Sequence, residues 1–288
     1  MKESNDTMSN ILKLPKSLQE DLEKKQYGIY NHSGVQICSW NKKSLRQQGV
    51  CYKEKFYGVD CHKCMQFSLV VLWCQQSCTF CWRPMENMRP IDIKNHQTND
   101  PKEIVDNLIK KREKLLSGFG GNDSVDSKKL KESKIPNHFA ISLSGEPTLY
   151  PKLNEMIKYL NSLPNTRTTF IVSNGQETSY FEKLEEDEKA LPTQLYISID
   201  APSEELFKKI NCSIYKDAWR RLNKSIEHFS NLPTRKVFRM TQIKGLNDLD
   251  EHLRGYKELI RKGNPDIIEV KGYMYLGLSR KRHKQDQM

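Results

Sequence analysis

From residue 67 onward the chain alternates two hydrophobic rhythms. Short, nearly continuous apolar runs at 67–73, 139–143, 168–172, 194–199, 236–243 and 267–275 have the length and composition of strands. Between them, apolar residues recur one helical turn apart. Ile104, Val105, Leu108 and Ile109 follow an Asp100-Pro101-Lys102-Glu103 cap, and Ser117-Gly118 is the expected stop. Leu153, Met156, Ile157 and Leu160 follow Pro151, and a short charged helix is expected over 177–189. Trp219, Leu222, Ile226 and Phe229 share a helix face, as do Leu249, Leu253, Tyr256 and Ile260 behind Asp248 and Glu251. Upstream, Leu18 and Leu22 predict a short helix over 15–25, preceded by a frayed polar start. Residues 27–66 keep no sustained period and read as loops and short strands.

Six strands alternating with helices predict an α/β fold with a parallel sheet. Nearly every strand ends in a polar or glycine-bearing signature. These are Ser144-Gly145-Glu146-Pro147, Ser173-Asn174-Gly175, Ser198-Ile199-Asp200, Lys244-Gly245-Leu246-Asn247 and Lys271-Gly272-Tyr273. Functional groups at many successive strand ends describe a barrel mouth, whereas a doubly wound sheet gathers them at one switch point. Six units predict a partial (β/α)6 TIM-like barrel over 67–288, with an N-terminal extension over 1–66.

Composition narrows the class. At 288 residues the chain can bury an enzyme-sized core. Its longest mostly apolar run, 67–74, is far short of a membrane span, so no membrane association is expected. The first 13 residues lack an apolar segment of the export type, which predicts a cytoplasmic protein. In that compartment the 8 cysteines are expected to be metal ligands or reactive thiols. A formal charge of +11 leaves a polyanionic partner open, although surface lysines also serve solubility.

The sharpest chemical signal is Cys74-x3-Cys78-x2-Cys81, just after the first long strand. Structural zinc is the alternative, but it wants four closed ligands, usually as two close pairs. Three close thiolates suit three corners of a cubane [4Fe–4S] cluster, leaving one iron open. Four more cysteines, Cys38, Cys51, Cys61 and Cys64, crowd the extension; buried structural thiols are the other reading of these.

The triple, the aromatic residues Phe80 and Trp82 beside its third cysteine, and the strand-end signatures resemble the radical S-adenosylmethionine (SAM) enzymes. Cys38, Cys51 and Cys64 lie 13 positions apart, Tyr57-Gly58, His62, Cys64 and Gln66 lead into the strand, and Cys81-Trp82-Arg83-Pro84 closes the loop. This pattern is similar to the tRNA 4-demethylwyosine synthase family, over about residues 27–280. The resemblance implies that Cys74, Cys78 and Cys81 hold the cluster that cleaves SAM. It implies that Gly145 and Glu146 bind the methionine part, with Ser173, Asn174, Ser198 and Asp200 at the ribose and methionine. These last four would equally serve as helix caps. It implies a second [4Fe–4S] cluster on Cys38, Cys51 and Cys64, with Cys61 and Cys212 outside both triads.

The implied reaction joins N1-methylguanosine-37 of phenylalanine tRNA to pyruvate, in the wybutosine pathway. A deoxyadenosyl radical removes a hydrogen from the N1-methyl group, the carbon radical adds to pyruvate, and the pyruvate C1–C2 bond breaks as the new ring closes. Lys53 matches the family's candidate for a Schiff base with pyruvate, and Lys55 is the fallback; a solvated lysine is the plain alternative. Lys42-Lys43, Arg46, Lys110-Lys111-Arg112, Arg220-Arg221 and Arg280-Lys281-Arg282 are candidate phosphate contacts. Tyr52, Trp82 and Tyr273 are candidates to stack an extruded base. His32 and His62 are open between function and structure. The chain ends soon after its last predicted strand, where members of that family continue, so altered tRNA docking or barrel closure is expected. With no flavodoxin-like domain, a monomer served by an external flavodoxin- or ferredoxin-type donor is expected. Another radical SAM substrate, or a non-catalytic iron–sulfur protein that binds RNA, remain the alternatives.

Overall fold

The structure, a computed structural model, describes residues 11–83, 93 and 96–288. Pro84 and the start of the expected frayed segment lie outside these. A helix, α1 (Lys16–Lys24), leads into a hairpin of β1 (Tyr27–Tyr30) and β2 (Ser33–Gln36). Two short helices follow, α2 (Ser39–Leu45) and α3 (Tyr52–Tyr57). The six expected strands are present as β3 (Cys64–Ser68), β4 (His138–Ile141), β5 (Thr168–Ser173), β6 (Gln194–Ser198), β7 (Arg235–Gln242) and β8 (Ile267–Gly272). The helices between and around them are α4 (Pro101–Ser117), α5 (Ser127–Ser133), α6 (Leu153–Ser162), α7 (Thr178–Glu185), α8 (Glu204–Asn211), α9 (Ala218–Asn231) and α10 (Leu253–Gly263). One sheet runs in the order β1 to β8; the hairpin pairs antiparallel onto β3, and β3 to β8 are parallel. The parallel part is the partial (β/α)6 barrel of the radical SAM type.

The two faces of the strands have separate fates, because successive side chains point to opposite sides. Phe139, Ile141, Ile171, Leu195, Ile197 and Phe238 pack outward into the main core under the helices. Ala140, Phe170, Tyr196 and Val237 meet in a smaller cluster inside the barrel, with Val59, Tyr57 and Cys64 against it. The extension therefore plugs the barrel at the N-terminal ends of its strands, while the strand-end signatures surround the opposite mouth.

One boundary differs from the expected pattern. The apolar run 67–73 is strand only to Ser68; Leu69 to Trp73 are buried but turn out of the sheet. Their backbone groups are committed elsewhere: Leu69 O accepts from Ser33 Oγ at 2.8 Å, Val71 N donates to His32 O at 2.9 Å, and Trp73 O accepts from Glu146 N at 2.8 Å. Apolar content marked burial correctly, but a run buried on all sides has no period to mark where pairing stops.

Candidate active site

A cavity of about 260 Å³ opens at the C-terminal ends of the barrel strands. Cys74, Cys78 and Cys81 line it together with Gly145, Glu146, Ser173, Asn174, Ser198 and Asp200. They come from four separate segments of the chain, and the tertiary structure brings them to one space. Among the described residues, no three His, Cys, Asp or Glu side chains converge on a single-ion site. Thiolates that each take a different iron of a cubane need not converge in that way.

Local structure explains the placement. Gly145 has φ +71, and a Cβ there would lie 1.8 Å from the Val70 carbonyl oxygen. Only glycine lets the end of β4 cross the 70–73 segment this closely. Glu146 follows, 3 % exposed, and ties the ends of β4 and β5 together. Its Oε1 accepts from Thr148 Oγ1 at 2.7 Å and Ser173 Oγ at 2.8 Å, and Oε2 accepts from Asn174 N at 2.8 Å. Burial raises the Glu146 pKa, and these donors oppose the shift. Asp200, at the end of β6, accepts from Thr241 N at 3.0 Å and Asn211 Nδ2 at 3.3 Å. Burial dominates and lifts its pKa to about 6.

The cysteine loop has its own donors. Cys74 Sγ accepts from Gln76 N at 3.4 Å and Asn174 Nδ2 at 3.6 Å, and Cys78 Sγ from Asn211 Nδ2 at 3.6 Å. Burial pushes Cys74 up to about 12 and raises Cys78 well above the usual thiol range, so these sulfurs favour the thiol form unless a cationic centre offsets their charge. A sulfur set with N–H groups already aimed at it fits an iron–sulfur cluster, whose potential such bonds tune. The C-terminal residues brace this loop. Arg282 donates to the Thr79 and Cys81 carbonyls, His283 Nε2 meets Thr79 Oγ1 at 2.9 Å, and Leu278 N donates to Trp82 O at 3.3 Å.

A second constellation lies at the other end of the barrel. Cys38 caps α2, its Sγ accepting from Asn41 N at 3.3 Å; Cys51 precedes α3; Cys64 opens β3. The three are mutual electrostatic neighbours, and Lys53 stands among them. Cys61, left outside both triads by its spacing, joins this group through a hydrogen bond with Cys51. That bond, helped by Lys53, lowers the Cys51 pKa against the effect of burial, and it raises that of Cys61. Asn41 Nδ2 donates to the Cys61, His62 and Cys64 carbonyls at 3.0, 3.2 and 3.1 Å. The Lys53 ammonium reaches into the barrel, 4.4 Å from the centre of the Phe170 ring and 5.6 Å from that of Tyr196. Burial lowers its pKa. Lys55 is exposed on α3.

Several sequence candidates have structural employment instead. Arg112 is 1 % exposed and donates to the Ser133, His62 and Cys64 carbonyls, so it is not a phosphate contact. Arg221 pairs with Asp217 at 2.9 Å. Tyr52 does not reach the mouth; its hydroxyl donates to Glu269 Oε2 at 2.9 Å, inside the barrel. Trp82, 41 % exposed, and buried Tyr273 do line the cavity. His32 is buried between Leu69 O at 2.6 Å and Asn99 N at 3.0 Å, and His62 pairs with Glu132 at 2.7 Å. Cys212 sits exposed at the end of α8.

The model of the radical SAM superfamily matches residues 69–259. The S-adenosyl-L-methionine-dependent tRNA 4-demethylwyosine synthase of Pyrococcus horikoshii is 43% identical over 270 residues, covering 93% of this chain and 77% of that protein. The chain belongs to the tRNA 4-demethylwyosine synthase family. The Methanocaldococcus jannaschii synthase is 38% identical, with 96% of this chain and 86% of that protein covered. A solved structure of TYW1 with a lysine–pyruvate adduct bound superimposes with a TM-score of 0.82 at 36% identity, covering 96% of this chain and 85% of that one. A radical SAM methyltransferase from Sphaerobacter thermophilus, at 12% identity and a TM-score of 0.51, shares the fold. This synthase-family chain is thus a radical SAM enzyme, a class that uses a [4Fe–4S] cluster and SAM. Among its described residues, no helix is long and apolar enough to cross a membrane.

Proposed function

We propose that this chain condenses N1-methylguanosine-37 of phenylalanine tRNA with pyruvate to form 4-demethylwyosine. The observation that carries the reading is the Lys53 amine, set inside the barrel beside the second group of cysteines, on the axis that leads up to the cavity with the first group. Two reaction centres at opposite ends of one lumen suit a coupling of two substrates, because each end can hold one partner in register with the other.

In this reading Cys74, Cys78 and Cys81 hold the radical cluster, and Cys38, Cys51 and Cys64, within the extension 1–66, hold a second. When bound, these groups and SAM supply the hydrogen-abstracting radical at one end and an open iron for pyruvate at the other. The chain's own residues do the rest. Glu146 fixes the ends of β4 and β5, so that Gly145, Ser173 and Asn174 present one rigid surface to SAM, while Ser198 and Asp200 face its ribose. Lys53, packed on Phe170 and Tyr196, attacks the keto carbon of pyruvate; water leaves and a Schiff base forms. Trp82 and Tyr273 flank the entering base, and exposed Lys43 and Arg280 are left for phosphates. An external flavodoxin- or ferredoxin-type protein supplies the electron, and the chain works as a cytoplasmic monomer.

The test is incubation of the reconstituted enzyme with N1-methylated tRNA, pyruvate, SAM and a reductant, followed by nucleoside digestion. The tricyclic nucleoside is the expected product. Deoxyadenosine without that nucleoside, despite pyruvate, sinks the substrate assignment. Lys53→Met is expected to cut nucleoside yield about a hundredfold or more with deoxyadenosine still formed. A variant that keeps its yield removes Lys53 from the mechanism.

Asp200 gives a pH signature. Its carboxyl ionises only above about 6, and the ionised form attracts the cationic SAM. SAM affinity is therefore expected to rise as pH increases through about 6 and then level off, with Asp200→Asn showing a flat profile. Equilibrium dialysis of labelled SAM checks this; parallel profiles in the two proteins would exclude Asp200 from the ligand's surroundings.

A further inference from the structure

Between Lys53 and the cavity lies a charged group that neither triad uses. Arg239 on β7 pairs in register with Glu269 on β8, and Thr241 with Lys271 one step nearer the mouth. Lys271 Nζ is 2.6 Å from Glu269 Oε1, and Arg239 Nε is 4.0 Å from the same oxygen. Glu269 Oε2 is taken by the Tyr52 hydroxyl at 2.9 Å, and Lys271 stands 4.9 Å over the Tyr52 ring. The group is polarised. The Glu269 side chain is only 11% exposed, whereas Arg239 and Lys271, 32% and 34% exposed, line the cavity. Its carboxylate is turned inward and already engaged; its cations face the open space.

The charge count is unequal as well. Lys53, Arg239 and Lys271 are three basic groups around Glu269, Lys53 feels both Arg239 and Glu269, and Arg239 also feels Asp200, whose carboxyl is already held by Thr241 N and Asn211 Nδ2. Cations held this close in a partly desolvated lumen repel one another unless an anion joins them. Thiolates of the second triad offset part of the excess, and a small anionic ligand offsets the rest. An α-keto acid has its carboxylate on the carbon next to its carbonyl. A keto carbon at Lys53 therefore puts the carboxylate carbon two bonds from the lysine nitrogen, in the neighbourhood that Lys53 shares with Arg239 and Glu269. The planar guanidinium and the ammonium supply the paired donors that a carboxylate takes.

We propose that Arg239 and Lys271 form the carboxylate-binding subsite for the keto acid, and that Glu269, anchored by Tyr52, is the positioning residue that keeps Lys271 at it. This rests on the reading of Lys53 and pyruvate given above. The subsite selects for a charged keto acid over a neutral carbonyl compound of equal size.

The experiment is equilibrium dialysis of the reconstituted holoenzyme against labelled pyruvate and, in parallel, its neutral amide, pyruvamide. Losing a charged hydrogen-bond partner is expected to weaken pyruvate binding about 10- to 100-fold in Lys271→Met, with pyruvamide unchanged within about twofold. Lys271→Arg keeps the charge and is expected to restore most of the discrimination; it also serves if Lys271→Met loads iron poorly. Glu269→Gln acts through Lys271, so adding it to Lys271→Met should produce little further loss. Unchanged pyruvate binding in Lys271→Met, or equal weakening of both ligands, overturns the subsite. Trapping with cyanoborohydride separates the two levels of the argument. An adduct that survives Lys53→Met overturns the lysine assignment, while the pyruvate-to-pyruvamide ratio still decides the subsite. No pyruvate binding by the wild-type holoenzyme overturns both.

Discussion

Gly145→Ala is expected to be among the most damaging single substitutions in this chain. Two costs add. The residue sits at φ +71, where an alanine is strained by about 1–2 kcal/mol. Its Cβ would also fall 1.8 Å from the Val70 carbonyl oxygen and 2.9 Å from that of Trp73. Both obstacles are backbone, so no side-chain rotation relieves them. Either β4 or the 70–73 segment must move, which breaks the Glu146 N to Trp73 O hydrogen bond and shifts the neighbouring Cys74. A total of about 4 kcal/mol or more is a large part of a typical domain's stability. It corresponds to a fall in Tm of roughly 10 °C. Iron content should fall with it, because the loop that carries the first triad is displaced. Gly118→Ala is the control: it ends α4 at φ −64 with nothing within 4 Å of a built Cβ, and its melting temperature should not fall. Thermal melting of the three proteins checks this, and a Gly145→Ala protein that melts with wild type refutes the close-approach argument.

Cys78→Ala is expected to abolish radical formation outright. A cubane on three protein thiolates loses a corner, and the site has no neighbouring thiol to replace it among the described cavity residues. Iron should drop from about eight to about four per chain, and deoxyadenosine should fall to background. The companion variant, Cys38→Ala, should remove the other four or so irons and stop nucleoside formation, yet leave deoxyadenosine release intact. The pair therefore assigns each triad to its own task. Iron unchanged in Cys38→Ala would falsify the second-cluster assignment. One complication belongs to this chain's own geometry: Cys61 hydrogen-bonds to Cys51, so a partial retention of iron in Cys38→Ala is best checked again in Cys38→Ala with Cys61→Ser.

Much of the candidate site was legible in the chain because its signals are local. A Cys-x3-Cys-x2-Cys triple, a Ser-Gly-Glu strand end and regular strand–helix alternation each fit within a few residues. The basic runs misled for a physical reason. A run of Lys and Arg states charge, but the helical period decides which member faces inward. In α4 the period turns Arg112 into the protein, where it meets carbonyls, while Lys110 stays outside. Tyr52 is a similar case, since its place beneath Lys271 depends on a strand more than two hundred residues away. Glu269 and Arg239 had no sequence signal at all. They occupy ordinary strand positions, and only the pairing of β7 with β8 makes them neighbours. A search for charged residues at lumen-facing, alternate positions of the last two strands could have found them.

The amino-acid sequence by itself determined the chemistry available: two sets of three thiols at fixed spacing, a lysine next to one of them, and six strand units to carry a barrel. Those are properties of residue type and short-range period, which survive without knowledge of contacts. The tertiary structure alone decided that the two cysteine groups lie at opposite ends of the barrel, that Cys61 joins the lower group, and that Arg239 and Lys271 line the cavity at the upper end. Such facts depend on strand register and on how the extension folds under the barrel. The parallel sheet brings together residues 24 or more positions apart, and no local pattern records which of them will meet.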